Sequence, residues 1–262
     1  MNSWSKGRKR FILALAVFVL VFLIGLPIFF LIYRAPTCSD NKQNGDEAGV
    51  DCGGSCQLLC KAESLPLILR GDPRILKVAP NTFEVVTMVE NPNTNADIYK
   101  AKYRMTLYSA DSAIPVKVIE GESYVPKAST IAIFEGPLTL QEGLMPTRVV
   151  FTWDDTSLVW RKNDLKVPEI RVTAVNLSRE DTNPRIDAKV ENLSLENVSN
   201  ISLVALISNE SGTIFAASKT LVDELPVGES VPIVFTWPEK FSESASGINI
   251  TFSILPDRSS IR

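Results

Sequence analysis

The chain has 262 residues, 45% of them hydrophobic, which is enough for about two domains with packed cores. Its formal net charge is −3, and this dispersed acidic balance argues against a nucleic-acid-binding protein, which normally displays a basic stripe. Histidine is absent, so a Ser-His-Asp triad, a Cys-His dyad and a His-ligated zinc or iron site are all excluded, and an enzyme is not expected.

The first predicted element is a membrane-spanning helix over residues 11–33, preceded by a basic cytoplasmic tail over residues 1–10. The run from Phe11 to Tyr33 carries no charged residue. At about 1.5 Å per residue it is long enough to cross a hydrocarbon core of about 30 Å. Basic residues are concentrated before the run and only Arg34 follows it, so the positive-inside rule places the N-terminus in the cytoplasm. The sequence therefore predicts a single-pass membrane protein that contacts lipid through residues 11–33 and has most of its chain outside the cytoplasm.

Three other interpretations of this run stay open: a cleaved signal peptide, a lipoprotein signal and a buried helix of a soluble domain. The apolar part of a signal peptide is usually about 7–15 residues long and leads to an A-x-A-like site, and neither feature is found here. A lipoprotein signal needs a small residue directly before its cysteine, but Thr37 precedes Cys38. The basic flank on one side of an uncharged run favours the uncleaved anchor over a soluble helix.

Residues 34–62 are predicted to form a disulfide-rich stem. They hold all the cysteines of the chain, at Cys38, Cys52, Cys56 and Cys60. Outside the cytoplasm cysteines oxidise, and four of them allow three pairings, among which the sequence does not choose. The competing interpretation is a zinc site, but zinc sites usually contain C-x2-C pairs and this segment has none. Because so short a segment cannot build a hydrophobic core, we expect two disulfides to hold it.

The stem also contains oxygen-bearing side chains in the order of a calcium-binding loop, at Asp40, Asn44, Asp46 and Asp51. Lys42 stands where an EF-hand loop needs a further oxygen ligand, and the last position is Asp rather than a bidentate Glu. The alternative is that these side chains cap turns while neighbouring glycines supply positive φ angles. Calcium at these four residues is the only cofactor that the sequence suggests.

The segment CSDNKQNGDEAGVDCGGSCQLLC (38–60) resembles a recurrent short motif of extracellular proteins. The spacing from Cys56 to Cys60 is one residue longer than in that motif, and Asn41 stands where glycine is common. The resemblance implies a module of secreted and surface proteins that carries no single activity. The matching residues are Cys38, Asp40, Asn44, Gly45, Glu47, Asp51, Cys52, Gly53, Gly54, Cys56 and Cys60.

From residue 63 onward, short alternating apolar runs separated by Pro, Asn, Gly and Asp predict β-strands and few helices. Two halves match at an offset of about one hundred residues, with VENPNTNADI (89–98) aligned to VENLSLENVS (190–199). We therefore predict an all-β fold with two tandem immunoglobulin-like β-sandwich domains, over residues 63–163 and 164–262. The predicted strands lie at residues 83–89, 100–108, 130–134, 148–153, 167–175, 186–190, 200–208, 213–218, 231–237 and 248–255.

Both halves resemble immunoglobulin-like families that have a V-x-N-P/T-N turn after the second strand and an L-Y-x-x-x-G-x-x-I hairpin. These families are the type-2 late-embryogenesis-abundant (water-stress) domain, the FxLYD domain and bacterial adhesion-related sandwich domains. The resemblance rests on short motifs spread over residues 65–262, and it implies binding, adhesive or spacing modules. The residues that carry it are Asn91, Pro92, Asn93, Leu107 and Tyr108 in the first copy and Asn192, Leu206, Gly212 and Ile214 in the second.

Few side chains of the β region suggest chemistry. Trp153 and Trp237 each end a Phe-Thr-Trp sequence, where they would either line an aromatic cleft or pack in the core, and we expect core packing. Trp160 is a candidate for the interface between the two domains. Lys127 and Ser129 share a turn, but nothing in the sequence buries the lysine, so a Ser-Lys nucleophile is not expected.

Taken together, these patterns predict a non-catalytic, membrane-anchored surface protein that binds, adheres or acts as a spacer. Its partner would be an unidentified protein or glycan, and not a nucleic acid. The alternative is a scaffold subunit of a cell-envelope assembly, whose helix pairs with other membrane proteins. A carboxylate-based hydrolase is the least favoured alternative.

Overall fold

A computed structural model describes residues 3–32, 36–110, 112–164 and 168–254. It divides into two compact units, residues 1–56 and residues 57–262. Within these described ranges, the first unit contains one helix and most of the stem, and the second contains the strands. The fold is therefore all-β beyond the N-terminal helix, as predicted.

Helix α1 spans Ser3–Ile32 and includes Pro27. Within it, Arg8–Ile28 is long and apolar enough to cross a membrane, and none of this segment is buried. The helix begins at Ser3, earlier than the predicted start at residue 11, and therefore includes most of the predicted cytoplasmic tail. Tyr33, the predicted last residue of the span, lies outside the described residues.

Stem residues 36–56 form a succession of turns. Their one regular feature is an isolated antiparallel bridge between Gly49 and Cys52. Asn41 and Asp51 have positive φ angles, as do three glycines of this segment. Such angles are common in turns built from Asn, Asp and Gly, which is the residue composition that predicted them.

The first sandwich contains eight strands in two antiparallel sheets. In one sheet β3 pairs with β6 along one edge and with β1 and β2 along the other. In the second sheet β4 pairs with β5 along one edge and with β7 and β8 along the other. The strands are β1 (Ile68–Leu69), β2 (Arg74–Ala79), β3 (Thr82–Asn91), β4 (Ala96–Ser109), β5 (Pro115–Val125), β6 (Ser129–Thr139), β7 (Pro146–Trp153) and β8 (Trp160–Lys162).

The second sandwich repeats the central part of this arrangement with six strands. Its sheets have the orders β9–β10–β13 and β12–β11–β14, which correspond to β2–β3–β6 and β5–β4–β7. All its pairings are antiparallel. The strands are β9 (Ile170–Ser178), β10 (Arg185–Asn192), β11 (Val198–Ser208), β12 (Ile214–Leu225), β13 (Ser230–Thr236) and β14 (Gly247–Ile254).

Each sandwich has its own apolar core between its two sheets. In the first, alternate residues of β4 point inward, and Ala101, Met105 and Leu107 are fully buried. In the second, β11 contributes Ile201 and Leu203 to the equivalent core. This alternation follows from the two-residue period of a strand, which places successive side chains on opposite faces.

A third apolar cluster joins the two sandwiches, and the sequence did not predict it. The outer face of the β2–β3–β6 sheet packs on the outer face of the β12–β11–β14 sheet. The buried residues of this cluster, named here the inter-sandwich cluster, are Leu76, Val86, Val204, Leu206 and Ala217. The two sandwiches therefore stack face to face, and the facing central strands β3 and β11 each contribute side chains both to their own core and to this cluster.

Candidate functional site

All the cysteines of the stem are oxidised. Cys38 is bonded to Cys56, with their Cα atoms 5.6 Å apart, and Cys52 and Cys60 are also disulfide-bonded. No cysteine is free. Cys38, Cys56 and Glu47 bring potential ligand atoms within 4.8 Å of one another, but sulfurs that are bonded to each other cannot act as thiolate ligands. The stem is thus the disulfide-closed segment that the cysteine pattern predicts.

The carboxylate of Asp51 fixes the start of the stem. Its Oδ1 accepts a hydrogen bond from the Asp40 backbone N–H at 2.9 Å, and its Oδ2 accepts one from the Asn41 N–H at 2.9 Å. Asp40 in turn accepts from the Lys42 N–H at 3.0 Å and from the Asn44 side-chain amide at 2.9 Å. Three of the four predicted calcium ligands are therefore neighbours. Backbone or amide N–H groups donate to the carboxylate oxygens of Asp40 and Asp51, while the side-chain oxygen of Asn44 is buried and has no hydrogen-bond partner among the described residues.

The fourth predicted ligand, Asp46, makes a different contact. Its Oδ1 accepts a hydrogen bond from the Ser55 hydroxyl at 2.7 Å. Its backbone oxygen lies under Gly54, where an added Cβ would approach it to 2.0 Å. Among the described residues, the acidic side chains of the stem do not converge on one point in the manner of Cys38, Glu47 and Cys56. Calcium binding at these four residues stays a prediction.

Glu47 is a structural residue of the stem and was not among the predicted ligands. Its Oε2 accepts hydrogen bonds from the backbone N–H groups of Asn44 at 3.2 Å and Asp51 at 3.3 Å. A single carboxylate therefore connects the turns on either side of it. The extracellular motif contains this glutamate, which was the available signal for its role.

Two buried asparagines occupy the same place in the two sandwiches. Asn91 donates from Nδ2 to the Ala96 carbonyl at 2.9 Å and accepts at Oδ1 from the Asn93 N–H at 2.9 Å. Asn192 donates to the Glu196 carbonyl at 2.8 Å and accepts from the Ser194 N–H at 2.9 Å. These are the asparagines of the repeated Val-Glu-Asn sequence, and each closes the turn between the second and third strands of the matched set.

Asp97 lies at the centre of a second polar network and is fully buried. Its Oδ1 accepts a hydrogen bond from the Lys127 backbone N–H at 2.7 Å. Its Oδ2 accepts from the Tyr124 hydroxyl at 2.8 Å and from the Asn163 side-chain amide at 2.5 Å. Burial, followed by the charge of Asp97, raises the pKa of Tyr124, so this hydroxyl stays a donor. The Lys127 ammonium donates to the Asn163 backbone carbonyl, so the lysine is engaged rather than open to solvent as the sequence suggested.

Tyr103 and Glu135 form a further polar contact at the first core, and Glu84 is a separate buried carboxyl group on β3. The Tyr103 hydroxyl donates to Glu135 Oε1 at 2.5 Å, and burial raises the pKa of this tyrosine. Burial also raises the pKa of Glu84 to about 7. The Glu84 Oε2 atom is buried and has no hydrogen-bond partner among the described residues.

The three tryptophans of the sandwiches pack rather than line a cleft. Trp237 is buried in the second core, and its indole N–H donates to the Ala217 carbonyl at 2.8 Å. Trp160 is buried in the first core, so the expectation that it lines the interface between the domains is wrong. Trp153 is partly buried and packs edge-on against Phe151.

No family model matches the chain, and no curated protein matches it. The likeness to late-embryogenesis-abundant, FxLYD and adhesion-related domains therefore stays a resemblance of short motifs.

Proposed function

We propose that this protein is a non-catalytic, membrane-anchored binding or spacer protein whose β-sandwiches lie outside the cytoplasm. The observation that carries the proposal is the succession, in one chain, of an unburied apolar helix and a segment of oxidised cysteines. Such a helix is stable only where lipid or another apolar surface covers it. Disulfides persist in oxidising compartments, which supports an extracytoplasmic location for the residues after the helix.

The asymmetry of charge around α1 supports the orientation within this proposal. Lys6, Arg8, Lys9 and Arg10 precede the apolar segment, and Arg34 alone follows it closely. Basic residues are retained preferentially on the cytoplasmic side. The N-terminus is thus assigned to the cytoplasm and the sandwiches to the other side.

The inter-sandwich cluster supports a spacing or presenting role. Two domains joined only by a linker would move independently, whereas a buried apolar interface holds them as one body. A body of this kind keeps its outer sheets and turns in a fixed arrangement, which suits the recognition of a protein or glycan. No residue is assigned to that recognition.

Protease protection tests the orientation directly. The full chain, with an epitope tag at its C-terminus, is expressed in cells whose outer face is accessible, and protease is added outside. We expect the tag and the sandwiches to be digested while the membrane stays intact. Protection of the tag until the membrane is permeabilised would contradict the proposal.

Alkylation of thiols tests the compartment. Iodoacetamide added to native membranes before any reductant should label no cysteine of this chain, and labelling should appear after reduction. Labelling of all the cysteines without reductant would show a reducing compartment and would contradict the extracytoplasmic assignment.

One feature of α1 favours the scaffold alternative as a second candidate. Gly25 leaves a shallow groove on the helix surface, bordered by Phe18, Val21, Phe22 and Leu26. Small residues let a second transmembrane helix approach closely. If the helix assembles with other membrane proteins through this groove, Gly25→Leu should abolish their co-purification in mild detergent.

Ala16→Leu is the matched control for that experiment, since at about 100° per residue Ala16 lies on the opposite face of the helix. The scaffold candidate requires that Ala16→Leu retain the co-purifying proteins. Equal retention by both variants would exclude assembly through the Gly25 groove.

A further inference from the structure

The second half of the chain is rich in one modification motif. Asparagine followed by any residue except proline, and then by serine or threonine, is the acceptor sequence for N-linked glycosylation. Residues 1–163 hold eight asparagines, none of them in this sequence, whereas residues 164–262 hold seven, of which six are in it. The enrichment of asparagine in turns does not explain this difference, because both halves contain such turns. The six are Asn176, Asn192, Asn197, Asn200, Asn209 and Asn249.

Three of the six asparagines have a structural role in turns. Both amide hydrogens of Asn192 are engaged, with the Glu196 carbonyl at 2.8 Å and the Leu225 carbonyl at 2.9 Å, and the residue is 1% exposed. The side-chain oxygens of Asn197 and Asn209 accept hydrogen bonds from backbone N–H groups of turns. A glycan replaces one amide hydrogen of its asparagine, so Asn192 cannot carry one in this fold.

Asn176 has no such role. It is exposed and lies within β9, although asparagine is depleted in strands. Its side chain makes no hydrogen bond among the described residues. β9 is an outer strand of its sheet, and the residue opposite Asn176 on β10 is Asp187, whose side chain is 48% exposed. The side-chain amide of Asn176 therefore lies on a face of the sheet that is open to solvent.

Asn200 is a second exposed asparagine within a strand, on β11. Its φ is +55°, a conformation that asparagine adopts more readily than most residues, but its side-chain amide makes no hydrogen bond among the described residues. The core residues Ile201 and Ala101 follow Asn200 and Lys100 in the two sandwiches, and Lys100 is exposed as well. Both sandwiches thus leave a long polar group in solvent at this position.

We propose that the second sandwich carries N-linked oligosaccharides on Asn176 and Asn200. The inference rests on the proposed extracytoplasmic location, because this modification belongs to secreted and surface proteins. Asn249 is exposed too, but it lies opposite Leu206 of the inter-sandwich cluster and is not assigned.

The reaction is a glycosyl transfer that needs no oxidant or reductant. The donor is an oligosaccharide joined through a phosphate to a polyisoprenoid lipid, and a membrane-bound transferase of the cell catalyses the step. The bond between Nδ2 and the anomeric carbon forms, and the bond between that carbon and the phosphate oxygen breaks. The lipid phosphate leaves, together with one proton from Nδ2. The transferase recognises the hydroxyl of the acceptor sequence, which Ser178 supplies for Asn176 and Ser202 for Asn200.

Mass spectrometry of glycopeptides is the decisive measurement. The full chain is purified in detergent from its native membranes and digested with a protease that cleaves after glutamate, which separates Asn192 from Asn200. Electron-transfer fragmentation then locates any added mass. We expect one oligosaccharide each on Asn176 and Asn200 and an unmodified peptide for Asn192. Unmodified Asn176 and Asn200 would overturn the proposal, and a glycan on Asn192 would overturn the role given to burial.

Variants of the acceptor hydroxyl separate this modification from any other on the same amide. Ser202→Ala keeps Asn200 but removes the hydroxyl, so the glycan on Asn200 should be lost while that on Asn176 is retained. Ser202→Thr is the matched control and should keep both, since threonine also serves in the acceptor sequence. An added mass on Asn200 that persists in Ser202→Ala would contradict N-linked transfer at this site.

Thiol alkylation of the same preparation separates this inference from the proposed location. Oxidised cysteines together with unmodified Asn176 and Asn200 would overturn the glycans and leave the location standing. Free thiols together with unmodified asparagines would overturn both.

Discussion

Glu84 lies partly buried on β3, and its Oε2 atom has no hydrogen-bond partner among the described residues. Burial disfavours the charged form of a carboxyl group, which is why the pKa of Glu84 rises to about 7. In the unfolded chain the same group titrates near its ordinary value, so the folded state binds more protons between these two values. The free energy of unfolding should therefore decrease as the pH rises from about 4.5 to about 7, and should change little with this group above that range.

Glu84→Gln removes this ionisation while keeping the shape of the side chain. We expect the variant to be more stable than the wild type by about 1–2 kcal/mol at pH 8 and nearly equal to it at pH 4. This free-energy difference is smaller than the pKa shift alone would give, because solvent still reaches part of the carboxyl group. Urea denaturation of the detergent-purified chain, followed by tryptophan fluorescence, measures the difference. Glu142→Gln, at an exposed turn, is the control and should change neither value. An equal effect of Glu84→Gln at both pH values would contradict the burial argument.

Gly54 presents a different single-residue constraint in the stem. Its φ is +51°, and an added Cβ would lie 2.0 Å from the Asp46 backbone oxygen. We expect Gly54→Ala to prevent the stem turns from closing, which would leave a large fraction of free thiols in the purified protein. Gly71→Ala also places a side chain at positive φ but meets no atom within 4 Å, so it should cost only about 1 kcal/mol and leave the disulfides intact. Quantitative thiol alkylation separates the two variants.

At the scale of elements, the turn after β3 and the turn after β10 use the same device. In each turn, the side-chain amide of a buried asparagine donates hydrogen bonds to backbone carbonyls on the far side of the turn. The side-chain oxygen of the same asparagine accepts a hydrogen bond from a backbone N–H within the turn. Asn192 also donates to the Leu225 carbonyl at 2.9 Å, and so connects the β10 turn to the end of β12. Removing this side chain leaves several buried backbone groups without partners, which is more costly than the loss of an exposed hydrogen bond.

Asn192→Ala should therefore lower the free energy of unfolding by about 2–4 kcal/mol. Asn209 caps the β11–β12 hairpin at a more exposed position, where it accepts from the Ser211 and Thr213 N–H groups. Asn209→Ala is the matched comparison and should cost about 1 kcal/mol, since water can replace its contacts. Thermal or chemical denaturation of both variants gives the comparison, and equal losses would show that burial is not the deciding factor.

At the scale of the whole molecule, the inter-sandwich cluster determines whether the two sandwiches unfold together. Leu206 is 4% exposed and lies on the face of β11 that packs against the first sandwich. A charged residue here would be buried without a partner, while the core of the second sandwich would keep all its side chains.

We expect Leu206→Asp to split a single calorimetric unfolding transition into two, one for each sandwich. Leu221→Asp is the control, because Leu221 is 62% exposed on β12 and a charge there meets water. That variant should keep one transition close to the wild-type temperature. One unchanged transition in Leu206→Asp would show that the cluster does not couple the sandwiches.

How far the sequence predicts the strands depends on how many of their faces are buried. In β4 the alternation of Ala101, Tyr103, Met105 and Leu107 with polar residues is a clear period of two, so a strand was predicted there over residues 100–108, although the observed strand begins four residues earlier, at Ala96. In β11 the residues Val204, Ala205, Leu206 and Ile207 are all buried, because one face packs in the second core and the other in the inter-sandwich cluster. A continuous apolar run is typical of a strand buried on both faces. The apolar run at residues 204–207 was therefore the feature of the sequence that could have predicted the stacking of the two sandwiches. The short strands β1 and β8 have too few residues to show any period, and no predicted strand range covers them or the longer strands β2 and β5.

The sequence by itself determined the apolar helix, the oxidised stem and the two β-rich halves with their shared asparagine turns. These features depend on local chemistry: the absence of charge over a long run, the spacing of cysteines, and the two-residue period of a strand. Only the tertiary structure decided that the sandwiches stack face to face and that Tyr124, Lys127 and Asn163 meet around the buried Asp97 carboxylate. Asp97, the 124–127 segment and Asn163 are far apart along the chain, and they become neighbours only because antiparallel pairing and sheet packing bring distant strands and turns together.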